Sequence, residues 1–492
     1  MKGLIFTRIA NLIVLAIVLC NVTDVQKVQA QTHDPAEYLS HTLPVLYINT
    51  VDSMPITSRD YYLDGSYYLD SSDFEQFESI GSAEEPLALQ IRGRGNASWQ
   101  APKKPYRLKL GAKAALCGMK KSKHWVLLTE YNDWQAHGRN YFGMLISRMM
   151  NMPWTPGIVP IELVLNGDYM GMYFLLENIR IDKNRVNITE QDNFATDSAE
   201  ITGGWLLEID NYNEPNQIKL KDRNTIMRIT YHSPDSLSDS QLAYITDLVT
   251  RANDAVNTNA KNDTTWETLI DIDAMARFYV VNEVIDNQEA FSGSCWFYKD
   301  RGDSTKLIFG PVWDFGSAQG RNNCKTFLYE NPPSYAVNHW IQELVKFPRF
   351  QMALRKHWRH YRDNVYPQLQ TEVTKYKNLV INGLAADYKR WGDKSATEVG
   401  YYTQRIMKLF KSKYEFLQPI WDEDFTYLPG DINGDNRVDV TDVNVVINLI
   451  LRKNEQIPRG DGSFAYDVNN DGMVDVADLN MVINFMLGKF AE

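Results

Sequence analysis

Cysteine is scarce in this chain, with four in 492 residues, at positions 20, 117, 295 and 324. No spacing among them suits a zinc site, and so sparse a set is no disulfide framework. At most one bridge could join two of Cys117, Cys295 and Cys324, so core packing and bound ions must supply most of the stability. Blocks of Lys and Arg are also missing, which argues against a nucleic-acid partner. Past residue 30 no apolar run is long enough to cross a bilayer, so no transmembrane segment is expected. Neither a P-loop ending nor a His-Arg-Asp catalytic loop occurs, which leaves no support for a Walker-type site or an ordinary protein kinase.

What remains is ordinary globular composition, 44% apolar and 23% charged. The length predicts two to four domains. Aromatics reach 12%, with 27 Tyr and 12 Trp. Core packing is their expected role, with Trp99, Trp134 and Trp154 as candidates for glycan contact. The formal charge of −11 is uneven: residues 429–492 hold 11 acidic against 5 basic side chains, more than half of the imbalance.

The N-terminus reads as a secretory signal. Lys2 and Arg8 precede an apolar run from Ile9 to Val22, and Val28-Gln29-Ala30 places small residues before a cut at Gln31. Residues 1–30 are therefore expected to be removed, leaving a secreted, extracellular or cell-surface protein. A lipid anchor on Cys20 is the rival reading, and Leu19 before it fits that poorly. Asn96, Asn187 and Asn262 match the glycosylation acceptor pattern, which has meaning only in a host that glycosylates.

The acidic end is a repeat. DINGDNRVDVTDVNVVINLIL from Asp431 recurs as DVNNDGMVDVADLNMVINFML from Asp467. Each segment puts oxygen side chains at loop positions one, three, five, nine and twelve: Asp431, Asn433, Asp435, Asp439 and Asp442, then Asp467, Asn469, Asp471, Asp475 and Asp478. Position seven adds a backbone carbonyl, from Arg437 and Met473. Calcium takes six to eight oxygens at about 2.3–2.6 Å, and a tight loop can aim alternate residues at one point. Two Ca2+ sites are therefore expected. Gly472 meets the sharp turn at position six, and Asn436 replaces it in the first loop. Val443, Val446, Ile447 and Ile450 then recur at helical spacing, as do Leu479, Val482, Ile483 and Met486. Pro429-Gly430 and Gly460-Asp461-Gly462-Ser463 leave no room for a helix before either loop. The unit is loop plus one helix, twice.

This arrangement, from Gly430 to Gly488, closely resembles the dockerin type I module of secreted bacterial enzyme assemblies such as cellulosomes. The resemblance implies a cohesin-type partner domain. Val440-Thr441 and Val476-Ala477 stand where many relatives carry Ser-Thr, which leaves the receptor class open.

Between signal and repeat the first half alternates strand and turn signals. Pro44 to Asn49 and Leu87 to Ile91 read as strands, and Asn166-Gly167 reads as a hairpin turn between two apolar runs within Ile161 to Leu176. Residues 338–416 are mostly helical, so the fold class is α+β. Strand alternation over Lys103 to Leu110 puts Lys104 with Tyr106, Leu108 and Leu110 on an apolar face, where an ammonium needs an anion. Further on come Asn282 to Glu289, ending an apolar helix, and Gly310-Pro311-Val312-Trp313-Asp314-Phe315-Gly316. A carboxylate after a buried strand can hold Mg2+ against phosphate oxygens.

Taken in order, Arg94-Gly95-Asn96, Lys103 to Tyr106, Trp125 to Leu128, Arg139-Asn140, Leu165 to Gly171, Glu177, Gly203 to Asp210 and Gly310 to Phe315 resemble the CotH family of spore-coat-protein-H-like atypical kinases. The resemblance spans about residues 44–420. It implies a kinase-like fold over residues 31–428, ahead of a small all-α module over 429–492, with ATP and Mg2+ as cofactors and an unidentified protein as substrate. Carried onto this chain, Asp314 is the Mg2+ ligand, and Arg94 and Lys104 contact phosphate. Glu177 pairs with Lys104 or lines the nucleotide pocket. Where many relatives read Asn-x-Asp this chain has Asn287-Gln288-Glu289, so Glu289 is the candidate base, one methylene longer, with Asp286 as its substitute. Gly316 stands where relatives often carry a second carboxylate. Two functions follow: an atypical kinase docked through its tail, or a catalytically degraded binding or structural component of an extracellular, polysaccharide-degrading assembly. A glycoside hydrolase is a third, for which no carboxylate pair can be assigned.

Overall fold

A computed structural model describes residues 32–489 except 75, 131–136, 262, 319–323, 331–336, 393–395, 423–429, 434–436, 452–465, 467 and 469–473. The expected signal, Cys20, Trp134, Asn262, Pro429 and the Gly460-Asp461-Gly462-Ser463 segment thus lie outside the described residues.

A short turn of helix, α1 (Pro35–Tyr38), leads into seven strands: β1 (Val45–Thr50), β2 (Leu63–Asp70), β3 (Leu87–Gly93), β4 (Tyr106–Ala114), β5 (Ser122–Leu128), β6 (Ile158–Leu165) and β7 (Asp168–Glu177). Helix α2 (Arg139–Met149) separates β5 from β6. The strands close into a barrel in the order β1-β2-β3-β4-β5-β7-β6, and the closing pair, β1 with β6, is parallel. Period-two alternation fills the interior: Leu89 and Ile91 of β3, Tyr106, Leu108 and Leu110 of β4, and Trp125 and Leu127 of β5 form one buried cluster. At the β6–β7 hairpin Asn166 and Gly167 take φ of 53° and 78°, the left-handed pair that a two-residue turn between right-twisted strands requires.

The outer wall of β5 and β7 belongs to a different core. Val126, Leu128, Phe174 and Leu176 pack with the rest of the chain. That remainder holds a second sheet built from β8 (Trp205–Asp210), β9 (Gln217–Asp222), β10 (Thr225–Ser233), β11 (Cys295–Lys299) and β12 (Ile308–Phe309), in the order β12-β11-β8-β10-β9. Around it lie α3 (Asp239–Val256), α4 (Thr265–Leu269), α5 (Ile272–Val284), α6 (Ile341–Leu344), α7 (Pro348–His360), α8 (Tyr366–Trp391) and α9 (Ala396–Trp421). Asp271 caps α5 through the Ala274 amide at 2.8 Å. Ten of the thirteen residues of α5 are buried, the mark of a central helix rather than an amphipathic one. The α+β reading is thus met, and the closed barrel is a feature the sequence analysis does not foresee.

The tail contributes α10 (Val440–Ile450) and α11 (Val476–Met486), whose Val446, Leu449 and Val482 share a small core with Ile432 and Tyr466. The expected all-α module is met in the described residues by these two helices. Cys117, Cys295 and Cys324 are all buried thiols, and no two of them are bridged.

Candidate functional site

Barrel and second sheet face each other across a cleft of about 1110 Å³. Its barrel wall is basic. Strand β3 runs into Gly93-Arg94-Gly95-Asn96, and both glycines are needed there. A Cβ on Gly93 would lie 2.4 Å from the Trp99 ring, and Gly95 sits at φ +79°. Arg59 pins the turn, donating to the Gly95 carbonyl at 2.7 Å and to Asn96 Oδ1 at 2.5 Å. The half-buried Arg94 guanidinium lies 5.9 Å from the Trp313 ring. Burial draws its pKa down to about 10, against the opposing pull of Asp314. Arg92 and Arg107 line the same wall.

The facing wall is acidic. Alternation along β8 turns Trp205, Leu207 and Ile209 into the core and Glu208 and Asp210 toward the cleft. His232 of β10 meets Glu208 Oε2 through Nε2 at 2.7 Å and stacks on Trp296 with ring centroids 4.3 Å apart. Burial and the Glu208 charge raise the Asp210 carboxyl above its usual range.

Asp314 stands where the walls meet. Its backbone is left-handed, φ 53°, and neighbours hold it so. The Phe315 amide donates to Asn140 Oδ1 at 3.0 Å, and Asn287 Nδ2 donates to the Asp314 carbonyl at 3.3 Å. Phe315 is buried against Gly143 of α2, where a Cβ would lie 2.2 Å from its ring. Glu130 in turn fixes α2 by accepting from the Gly138 and Asn140 amides at 2.6 and 3.0 Å. The Asp314 carboxylate itself is exposed to the cleft, with Oδ1 accepting from the Gly316 amide at 3.2 Å. Asn287 itself is buried behind the cleft lining, and its Oδ1 has no hydrogen-bond partner among the described residues. An exposed carboxylate opening on a cleft is an oxygen donor that suits a hard divalent cation. Glu289 lines the same cleft, half-buried.

Other candidates sit elsewhere. Asp286 does not face the cleft and cannot serve as the substitute base. It is buried, and its Oδ1 lies 3.0 Å from Lys413 Nζ, in a cluster with Glu283. Lys104 is not on the apolar face, because β4 begins only at Tyr106. Its Nζ donates to the Trp99 carbonyl at 2.7 Å. The buried ammonium that needs an anion is Lys103, ion-paired with Asp387 of α8. Glu177 is buried at the end of β7 and is not among the cleft's lining residues. It pairs with Arg185, Oε1 to Nε 3.9 Å, rather than with Lys104, and accepts from the Gly157 amide at 2.9 Å. Burial raises its pKa. Arg92, Arg107, Glu208, Asp210, His232 and Asn287 carry no role expected from the sequence. For the strand residues a signal existed, since alternation against Ile91, Leu108 and Ile209 puts Arg92, Arg107, Glu208 and Asp210 outward.

In the tail, Asp435, Asp467, Asn469, Asp471 and Met473 lie outside the described residues. Among the described residues no three acidic, His or Cys side chains gather as a metal cluster. The remaining loop members are arranged coherently. Asp431 and Asn433 are buried, and Asp442 and Asp478 are fully so. Asp442 Oδ1 accepts from the Ile432 and Asn433 amides at 2.7 and 3.0 Å, and Oδ2 accepts from Asp439 at 2.9 Å. Asp478 repeats this with Val468 at 2.6 Å and Asp475 at 2.9 Å. Each position-twelve acid closes a capping box with position nine. Asp442 has no cationic side chain within ion-pair distance among the described residues, and a buried carboxylate so placed suits a metal cation.

Residues 91–417 match the family model described as CotH kinase protein, and residues 429–487 match that of the dockerin type I domain. Dockerin type I domains bind calcium and cohesin domains. No curated protein matches the chain. No helix among the described residues is long and apolar enough to cross a membrane.

Proposed function

The chain belongs to the CotH kinase protein family and carries a dockerin type I module, and from that membership we propose a secreted, ATP- and Mg2+-dependent atypical protein kinase that is docked through its tail. In this reading residues 1–30 are a signal, 31–428 the kinase-like domain and 429–492 a calcium-loaded dockerin that binds a cohesin-bearing scaffold or surface. One observation carries the phosphoryl-transfer part: an exposed carboxylate, Asp314, shares one cleft with a wall of arginines, Arg92, Arg94 and Arg107.

Asp314 is the residue to hold Mg2+, which when bound would offset phosphate charge and orient the phosphoryl group. Arg94 supplies a guanidinium to the phosphate oxygens. Glu289, which lines the cleft, is the residue to accept the proton of a Ser, Thr or Tyr hydroxyl entering it. Lys104 has no role in this scheme, since Trp99 holds its ammonium.

The second reading, a binding component without chemistry, draws on Gly316, which brings no carboxylate beside Asp314, and on Asp286, which is sealed against Lys413. Transfer of labelled γ-phosphate from ATP with Mg2+ separates the two. Asp314→Ala and Glu289→Gln should each lower the rate by about 10²-fold or more. Wild type that binds nucleotide and transfers nothing establishes the second reading.

A further inference from the structure

Arg92 and Arg107 stand directly opposite each other on the antiparallel strands β3 and β4. Like charges in that relation repel, and both are half-buried, where repulsion is poorly screened. Neither has a carboxylate within 4.0 Å among the described residues. The Arg92 side chain has only the Gly93 carbonyl at 3.5 Å and the Tyr62 ring at 5.1 Å. Arg107 Nη2 donates to Asn178 Oδ1 at 3.1 Å. The Nε of each is buried and has no acceptor among the described residues. Burial first, and Arg92 second, depress the Arg107 pKa, so the protein itself does not stabilise this charge. Glu208, the carboxylate whose field reaches Arg107, is engaged by His232 at 2.7 Å.

Two adjacent guanidinium forks with orphaned N–H groups match a tetrahedral dianion better than a carboxylate, because two forks need more than two acceptor oxygens. We propose that Arg92 and Arg107, closed on one side by Asn178, form a seat for a phosphate dianion on the barrel wall of the cleft. The seat deepens the phosphoryl-transfer reading and rests on it for the origin of the phosphate, which is either the polyphosphate of a nucleotide or a phosphate already on the acceptor.

The test is binding without turnover. Inorganic phosphate is titrated into the full chain, with no nucleotide or Mg2+, by calorimetry and thermal melting. Wild type should bind and melt higher. Arg92→Gln or Arg107→Gln should weaken binding at least tenfold, and Lys109→Gln, an exposed neighbour on β4, less than twofold. Ligand-free Arg107→Gln should melt no lower than wild type, since it loses a repulsion. Acetate should not substitute. ATP weakened by Arg107→Gln, with O-phosphoserine unbound by wild type, assigns the phosphate to the nucleotide. O-phosphoserine bound alongside saturating ATP, and lost in Arg107→Gln, assigns it to the acceptor. Wild type that ignores phosphate, a double variant that still binds it, or a ligand-free Arg107→Gln that melts lower would each overturn the seat. Phosphate binding with no γ-phosphate transfer leaves the seat standing and removes the kinase reading.

Discussion

Replacing Lys413 by methionine should cost the fold about 3–5 kcal/mol at pH 7.5, the range for stripping one partner from a buried ion cluster. Lys413 of α9 is buried between Glu283 and Asp286, with Asp286 Oδ1 at 3.0 Å, and donates to the Thr326 carbonyl at 2.7 Å. Burial alone would lower its pKa, but the two carboxylates more than offset that and hold it above the usual lysine value. Glu283 also takes the Tyr279 hydroxyl and, at 3.0 Å, the Leu328 amide. Its carboxyl is raised by burial, with Lys413 pulling the other way. Methionine removes that pull and leaves two carboxylates buried without a cation. Glu283 then takes up a proton more readily folded than unfolded. The folded state binds more protons, so the variant's deficit is largest at neutral pH and shrinks as pH falls toward the ordinary glutamate range. Urea unfolding, followed by tryptophan emission and far-UV circular dichroism at pH 7.5 and 5, measures both effects. Glu283→Gln and Asp286→Asn added to Lys413→Met should recover part of the loss. A deficit under about 1 kcal/mol, or one that fails to shrink in acid, refutes this account of the cluster. The chemistry is at stake too, because Asp286 stands immediately before Asn287 and is itself left-handed, φ 55°. Asp286→Asn should lower stability, whereas Glu289→Gln should lower transfer and leave stability unchanged.

Gly143→Ala places a methyl 2.2 Å from the Phe315 ring, and it should destabilise by about 1–3 kcal/mol and weaken transfer by moving Asp314; a thermal melt and a transfer rate equal to wild type would contradict the packing argument. Asp442→Ala with Asp478→Ala removes the third-position acid of each capping box and leaves Asp439 and Asp475 in place. Without calcium this should cost each helix about 0.5–2 kcal/mol, and with calcium it should abolish the two-site uptake expected of the wild-type full chain in calorimetry. An unchanged calcium isotherm counts against these loops as the sites.

What could be read from the sequence was local. Strand alternation turned Tyr106, Leu108 and Leu110 inward, and Asn166-Gly167 marked its hairpin, because a period of two and a left-handed pair are written in adjacent residues. The loop repeat was legible for the same reason. Barrel closure was not, since β1 pairs in parallel with β6 more than a hundred residues away. Alternation carried back past the start of β4 at Tyr106 puts Lys104 on the apolar face, one position off from the buried Lys103. The anion that buries Lys103 belongs to Asp387 of α8, 284 positions on. Asp286 reads as available chemistry until Lys413, 127 positions on, is brought against it. Each error lies in a partner that only the tertiary fold supplies.

The same reasoning links the two modules. Among the described residues, Arg92 and Arg107 on the cleft wall are cations with no carboxylate in reach, and Asp442 in the tail is a buried carboxylate with no ammonium or guanidinium in reach. Summed over the chain these opposite excesses largely disappear into a charge of −11, which is why composition said nothing of the basic wall. Each site is electrostatically incomplete by one ion of the opposite sign, and anything that binds only the folded form stabilises it by mass action. Phosphate and calcium should therefore raise separate unfolding transitions, and each effect should survive loss of the other.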